Sequence, residues 1–408
     1  MRWTGLIAAT LLAGAATAQS APQTNAPPAP VNAGVAITDQ NRAHLQQIGA
    51  EILFWSQAQR DENFPHMEKL FPGHVVSAGK KVLALPPGPP LPIPATEVDA
   101  FMRDQNVAGL IVVQAGTVRL ERYARGLTRE GRWTSFSVAK SFTSTLVGAA
   151  IRDGFIKSVE EPVTKYIPDL AGSAYDGVTI AQLLTMTSGV KWNEDYTDPK
   201  SDVARMFSIP VPPGMDATVA YMRTLPRETV PGGKWVYKTG ETNLIGVLVG
   251  NAVKMPLATY LSERVWKRYG MERDAFWMTD ATGREVGGCC LSVSLRDYAR
   301  MGQLAMEGGA GIVAPGWFAE ATRAHADTGR GAGFGYGYQW WTYPGDRFGG
   351  VGIFGQSITV DPASKTVIAI VSAWPKATDD HFSQARLAFI DRLFATAKAP
   401  LARRPRRR

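Results

Sequence analysis

Apolar side chains recur at helical spacing after Ser137. Phe142, Leu146, Val147, Ala149, Ala150 and Ile151 predict a long helix that opens at this serine. Thr38 or Asp39 caps an earlier helix that runs to about Arg60. Residues 96–105, 296–306 and 380–398 carry the pattern of three more, the last amphipathic. Residues 108–114 and 117–123 read as a β-hairpin with Gly116 in its turn. Residues 349–354, 357–360 and 366–374 are short β-rich runs, and Asp361-Pro362-Ala363-Ser364-Lys365 makes the turn between the last two. Between the two groups of strands, residues 152–275 are helix and loop, punctuated by Gly and Pro. This order predicts an α+β fold whose sheet is split by an all-helical insert over about residues 152–275. No internal repeat is visible.

The two ends of the chain change this picture. Residues 1–18 have the form of a secretory signal: Arg2 supplies the positive start, residues 5–15 the apolar stretch, and Ala16-Thr17-Ala18 the cleavage site. Cleavage after Ala18 and a periplasmic or secreted location are therefore expected. No cysteine follows the site, so no lipid anchor is expected. Residues 19–37 form a linker, rich in Pro, Ala and Asn over 21–34. Residues 38–94 hold the first helix and an extended proline-rich segment (83–94). Residues 95–398 form the main domain, and 399–408 a basic tail.

The chain has 408 residues, 45% hydrophobic and 20% charged, which suits a folded enzyme. Its formal charge of +8 is largely terminal, because five arginines lie in 403–408 and Arg2 leaves with the signal. The tail reads as a solvated end rather than a contact for nucleic acid or lipid, and nothing in the body points to nucleic acid. After the signal, no apolar run reaches the ~18 residues of a membrane span. Cys289 and Cys290 are adjacent in sequence. A bridge between neighbours is strained, so two buried thiols are expected. No Cys/His spacing suits zinc, and no metal or cofactor is implied. Nothing fixes an oligomeric state.

The candidate chemistry begins at Ser137-Val138-Ala139-Lys140. This S-x-x-K places the lysine one helical turn from the serine, on the same face. A serine hydroxyl is a weak nucleophile until a base takes its proton, and burial favours the neutral, basic form of lysine. Two other S-x-x-K matches, Ser77…Lys80 and Ser188…Lys191, contain glycine and read as turns. Tyr237, between the turn Pro231-Gly232-Gly233 and an apolar helix, is the candidate second proton carrier. Its hydroxyl near Lys140 is expected to ionise more easily than a free tyrosine's. Tyr196 lies in the polar and aromatic loop Trp192-Asn193-Glu194-Asp195-Tyr196, which suits substrate contact. A literal K-T-G, Lys238-Thr239-Gly240, precedes a helical pattern and not a strand, so it does not stand for the sheet-edge K-T-G that accompanies S-x-x-K elsewhere. There is no G-x-S-x-G, and the five histidines form no triad motif.

Taken together, these stretches resemble the class C β-lactamase-like serine hydrolases, and among them 6-aminohexanoate-dimer hydrolase and related esterases. The matching segments are Ser137 to Ser144, Leu183 to Gly189, Trp192 to Tyr196, Trp235 to Asn243, Arg296 to Arg300, Phe354-Gly355-Gln356 and Ser372 to Pro375. The resemblance runs from about residue 95 to 396. It implies a β-lactamase/penicillin-binding-like fold, with an antiparallel sheet flanked by helices. It also implies Ser137 as nucleophile, Lys140 as its base and Tyr237 as proton shuttle. The backbone N–H groups of Ser137 and Ser357 would form the oxyanion hole, and Tyr196, Thr239, Gln356 and Gly355 would contact substrate.

Two positions depart from the pattern. Thr239 replaces the usual Asn or Ser two residues after the tyrosine, and Phe354 stands where the third motif carries a cationic or imidazole residue. The expected function is therefore an exported serine hydrolase that cleaves small esters or linear amides through an acyl-enzyme. A β-lactamase or D-alanyl peptidase, or a non-catalytic sensor module, are the alternatives.

Overall fold

The two most aliphatic runs pair with each other in the interior of the larger sheet. A computed structural model describes residues 29–207 and 209–398; the expected signal (1–18), most of the expected linker and the basic tail (399–408) lie outside them. The strands are β1 (Asn32–Gly34), β2 (Pro72–Val76), β3 (Val107–Gln114), β4 (Thr117–Tyr123), β5 (Trp133–Thr134), β6 (Ala275–Met278), β7 (Leu291–Val293), β8 (Gly335–Tyr336), β9 (Trp341–Tyr343), β10 (Arg347–Gly352), β11 (Gln356–Asp361) and β12 (Thr366–Ser372). The larger sheet has seven strands in the order β4-β3-β12-β11-β10-β9-β8 and is antiparallel throughout. β3 and β12 are adjacent although more than two hundred residues of chain separate them, so the hairpin and the late strands close one sheet around what lies between.

Burial on both faces explains why these central strands are nearly continuously apolar. Helices α1 (Arg42–Glu51), α2 (Gln57–Asn63), α3 (Ala95–Asp104), α4 (Ala139–Arg152), α5 (Thr239–Val253), α6 (Leu295–Met306) and α7 (Asp380–Lys398) are the main ones. Leu110, Val112, Ile368 and Ile370 face one side and pack with Val98 and Met102 of α3 and Phe389 and Leu393 of α7. Ile111, Val113, Val367 and Ala369 alternate to the other side, toward Met301 and Leu304 of α6 and the α4 core. α4 is buried from Ala139 to Ala150, and the hydroxyls of Ser141, Thr143, Ser144 and Thr145 on it each donate to a backbone carbonyl.

Three features differ from the sequence expectations. The helix expected to Arg60 is broken: α1 ends in a 3₁₀ turn (Ile52–Phe54), Trp55 is extended, and Ser56 starts α2 with a capping box to Gln59. A second, five-stranded sheet, β1-β2-β6-β7-β5, was not foreseen. Its strands are two to five residues long and carry little periodic signal, and β1 lies within the segment read as linker. Cys289 and Cys290 are joined in a disulfide, not held as two thiols. Cys290 has a φ of 66°, which breaks the alternation that would turn neighbouring side chains apart. Among the described residues no single helix is long and apolar enough to cross a membrane.

Candidate active site

Ser137 sits in a 3₁₀ turn (Phe136–Val138) between β5 and α4. Lys140, in the first turn of α4, is 1% exposed, and its amine makes three contacts: Ser137 Oγ at 3.0 Å, Thr239 Oγ1 at 3.0 Å and the Gly288 carbonyl at 2.8 Å. Burial pushes the Lys140 ammonium down to about 8, while the Glu194 carboxylate pulls it back up. The site therefore holds an amine that is partly neutral near physiological pH.

Tyr237 stands just before α5. Its hydroxyl reaches the Ser137 side chain, and the Lys140 amine lies 5.2 Å from its ring centre. Trp341 stacks on that ring at 5.7 Å, and Tyr336 meets it edge-on. Contrary to the sequence expectation, the Tyr237 phenol does not ionise more easily. Loss of solvation pushes its pKa well up, and Glu194 adds to the shift. The expectation counted only a neighbouring cation, but Lys140 is itself held toward neutrality.

Thr239 opens α5, so the K-T-G begins a helix. The Lys238 just before it is fully buried, 3.7 Å from the equally buried Glu241, which also accepts from Ser188 and, at 3.4 Å, from Tyr175. This pair anchors the root of α5, where Tyr237 and Thr239 project. Tyr196 joins the site through Glu194, to which its hydroxyl donates at 2.7 Å.

The other sequence candidates are placed differently. Gln356 is fully buried, and its amide spans to the next strand, donating to the Ser372 carbonyl at 2.8 Å and accepting from its N–H at 2.9 Å. Gly355 has a φ of 95°, and a methyl group there would lie 2.4 Å from the Trp374 indole nitrogen. Ser357 is a buried β11 residue opposite Val351 and Ile370. These three hold the β10–β11–β12 junction. Phe354 is likewise core, packed on Phe64 and Phe136 at 5.3 and 5.2 Å.

The segment that passes the nucleophile is the end of β10. A methyl group on Gly352 would lie 3.1 Å from the Ser137 amide nitrogen and 2.6 Å from the Ser135 carbonyl oxygen. Only glycine allows that approach. Ile353, the next residue, lines the same pocket as Ser137, whereas Ser357 does not. Phe354, at φ 59°, and Gly355 turn the chain between β10 and β11 and set Ser357 on the following strand.

Thr239, Tyr196 and Ile353 border one pocket with Ser137. Its walls are largely apolar: Leu45, Ile52 and Leu53 from α1 and the turn after it, then Phe71, Met206 and Phe207. The Cys289–Cys290 pair also lines it, and Asp280 is its single charged lining residue among the described residues. Glu194, Gly288 and Ile353 lie at this site and were not singled out by sequence reasoning. Glu194 had a signal, lying between two aromatic residues in the loop already marked; a backbone carbonyl such as Gly288's has none.

The beta-lactamase family model matches residues 95–391. The chain belongs to the beta-lactamase family. Its relatives include 6-aminohexanoate-dimer hydrolase of Paenarthrobacter ureafaciens, 29% identical over 356 residues, covering 80% of this chain and 89% of that one. A beta-lactamase of Pseudomonas fluorescens is 24% identical over 184 residues, 43% of this chain and 48% of its own. Among solved structures, a candidate 6-aminohexanoate-dimer hydrolase from Bacillus anthracis superposes with a TM-score of 0.72 at 23% identity, covering 83% of this chain and 95% of that one. A class C beta lactamase from Rhodobacter sphaeroides gives 0.55 at 17% identity, covering 74% and 99%. The fold is thus the β-lactamase/penicillin-binding fold, and the protein is a serine hydrolase of that family.

Proposed function

We propose that this protein is an exported hydrolase of small, neutral esters or linear amides, working through an acyl-enzyme on Ser137. The observation that carries the reading is the buried Lys140 amine, 3.0 Å from Ser137 Oγ and depressed to about 8. Neutral Lys140 takes the Ser137 proton as Oγ attacks the carbonyl. The N–H groups of Ser137 and Ile353 hold the resulting oxyanion; the close approach of Gly352 to the Ser137 amide supports this pair over Ser137 with Ser357. Tyr237, kept as a phenol, passes a proton to the departing oxygen or nitrogen and is resupplied by Lys140. Water then enters by the same route in reverse and frees the acid.

The apolar walls favour an uncharged acyl group. At the end of β10, the residues beside the nucleophile turn are Gly350 and Gly352, which offer no cation to a β-lactam carboxylate. Export rests on the form of residues 1–18.

The test is labelling with a fluorophosphonate, followed by mass mapping, beside turnover of short p-nitrophenyl esters and of a chromogenic cephalosporin. An adduct on Ser137, absent from Ser137→Ala, with esters turned over faster than the cephalosporin, is the expected result. Faster cephalosporin turnover would make it a β-lactamase, and an adduct without turnover of either substrate would make it a sensor.

A further inference from the structure

Glu194 belongs to no part of the mechanism above, yet it is the most heavily bonded acid near the site. Its Oε2 accepts the Thr239 N–H at 2.9 Å and the Trp192 indole N–H. Its Oε1 accepts the Tyr196 hydroxyl at 2.7 Å and the Thr239 hydroxyl. A hydroxyl has one proton to give, whereas a carboxylate only accepts. The Thr239 proton is therefore committed to Glu194, and the oxygen it leaves exposed is an acceptor for Lys140.

The consequence lies in the geometry of a neutral amine, which has two N–H bonds and one lone pair. Of the three neighbours of Lys140 Nζ, the Gly288 carbonyl can only accept. Thr239, tied to Glu194, can likewise only accept from the lysine. The two amine protons go to these two oxygens, and the lone pair is left facing the third neighbour, Ser137 Oγ. Were the Thr239 hydroxyl free to turn, it could donate to that lone pair and occupy the base.

We propose that Glu194 is a positioning residue that, through the Thr239 hydroxyl, aims the Lys140 lone pair at Ser137. This rests on the Ser137–Lys140 reading and deepens it. The ionisable groups around the amine are Glu194 and Tyr196 from the loop and Tyr237 from the start of α5; Cys289 and Cys290, beside Gly288, are bonded to each other. In Glu194→Gln the side-chain NH₂ would face a donor, either the Thr239 N–H or its hydroxyl, so the clamp opens. The same change removes the negative charge that holds the lysine up.

The test follows the second-order rate of fluorophosphonate labelling per labelable enzyme from pH 5 to 10. The proteins are wild type, Glu194→Gln, Thr239→Ser, Thr239→Val and the Glu194→Gln/Thr239→Val double variant. Glu194→Gln is expected to lower the plateau rate by about 100-fold and to move the midpoint of the pH profile down. Thr239→Ser should stay within a few-fold of wild type, and in the Thr239→Val background Glu194→Gln should cost far less than it does alone. A merely structural role would reduce the labelable fraction while leaving the rate per labelable enzyme and the midpoint unmoved, and would overturn the proposal, as would additive costs in the double variant. Ser137→Ala serves as the control for the underlying reading: if it still labels, that reading fails; if it does not and Glu194→Gln behaves as wild type, only the role of Glu194 fails.

Discussion

Burial of Lys140 couples catalysis and stability to the same proton. Its pKa falls from 10.5 to about 8 in the folded protein, a preference for the neutral amine of about 3 kcal/mol. Between those values the unfolded chain binds a proton that the folded one does not, so raising the pH favours folding. Below about 8 both states are protonated and the full penalty is present; above 10.5 it is gone. Wild type should therefore gain about 3 kcal/mol over Lys140→Met as the pH rises from 8 to 10.5. The raised tyrosines titrate in both proteins and cancel in the difference. Urea unfolding of both proteins at closely spaced pH values measures this. The same proton sets the rate, because kcat/KM reports the free enzyme. Ester kcat/KM should rise about tenfold per pH unit up to about 8 and then level off, and Lys140→Met should be inactive throughout. A stability difference that stays flat from 8 to 10.5, or a rate profile still climbing at 10, would refute the buried-base argument.

Four further outcomes follow from other parts of the structure. Lys238→Met strands the fully buried Glu241 and should cost about 3–5 kcal/mol in chemical denaturation; Lys238→Met/Glu241→Leu should recover much of it, and a single-variant cost below about 1 kcal/mol would contradict the pairing. Gly352→Ala drives a methyl toward the Ser135 carbonyl and the Ser137 amide and should slow acylation roughly 100-fold, read by burst kinetics; Ser357→Ala keeps its backbone N–H and faces away from the pocket, so it should acylate at nearly the wild-type rate. Leu45→Trp should lower kcat/KM for hexanoate esters far more than for acetate, since Leu45 lines the apolar wall; equal losses on both would argue that the acyl chain lies elsewhere. Intact mass of protein recovered from the periplasm or medium should show Gln19 as the first residue.

The serine and lysine were legible because their relation is local: one helical turn fixes it whatever the rest of the chain does. Tyr237 and Thr239 were legible for a similar reason, as both lie at the start of a strongly apolar helix. What could not be read depends on tertiary contact. The Gly288 carbonyl that orients the lysine has no side chain to mark it, and the importance of Glu194 emerges only once its loop closes on Thr239. The place of Ile353 beside Ser137 was not legible, because two residues with positive φ interrupt the run between β10 and β11. The sign of the Tyr237 shift failed because desolvation, invisible in a sequence, outweighs a neighbouring amine. The small second sheet escaped because strands of two to five residues are too short to show a period.

One wall of the catalytic pocket comes from Leu45, Ile52, Leu53 and Phe71, all upstream of the 95–391 stretch shared with the family. Part of the pocket lining is thus written outside the shared stretch, while Tyr196, Met206 and Phe207 supply another part from within it. Exchanging the leading seventy residues between kindred enzymes could redirect what is accepted while the bond-breaking machinery stays as it is, so a mutant library confined to residues 42–72 is the economical place to look for altered preferences.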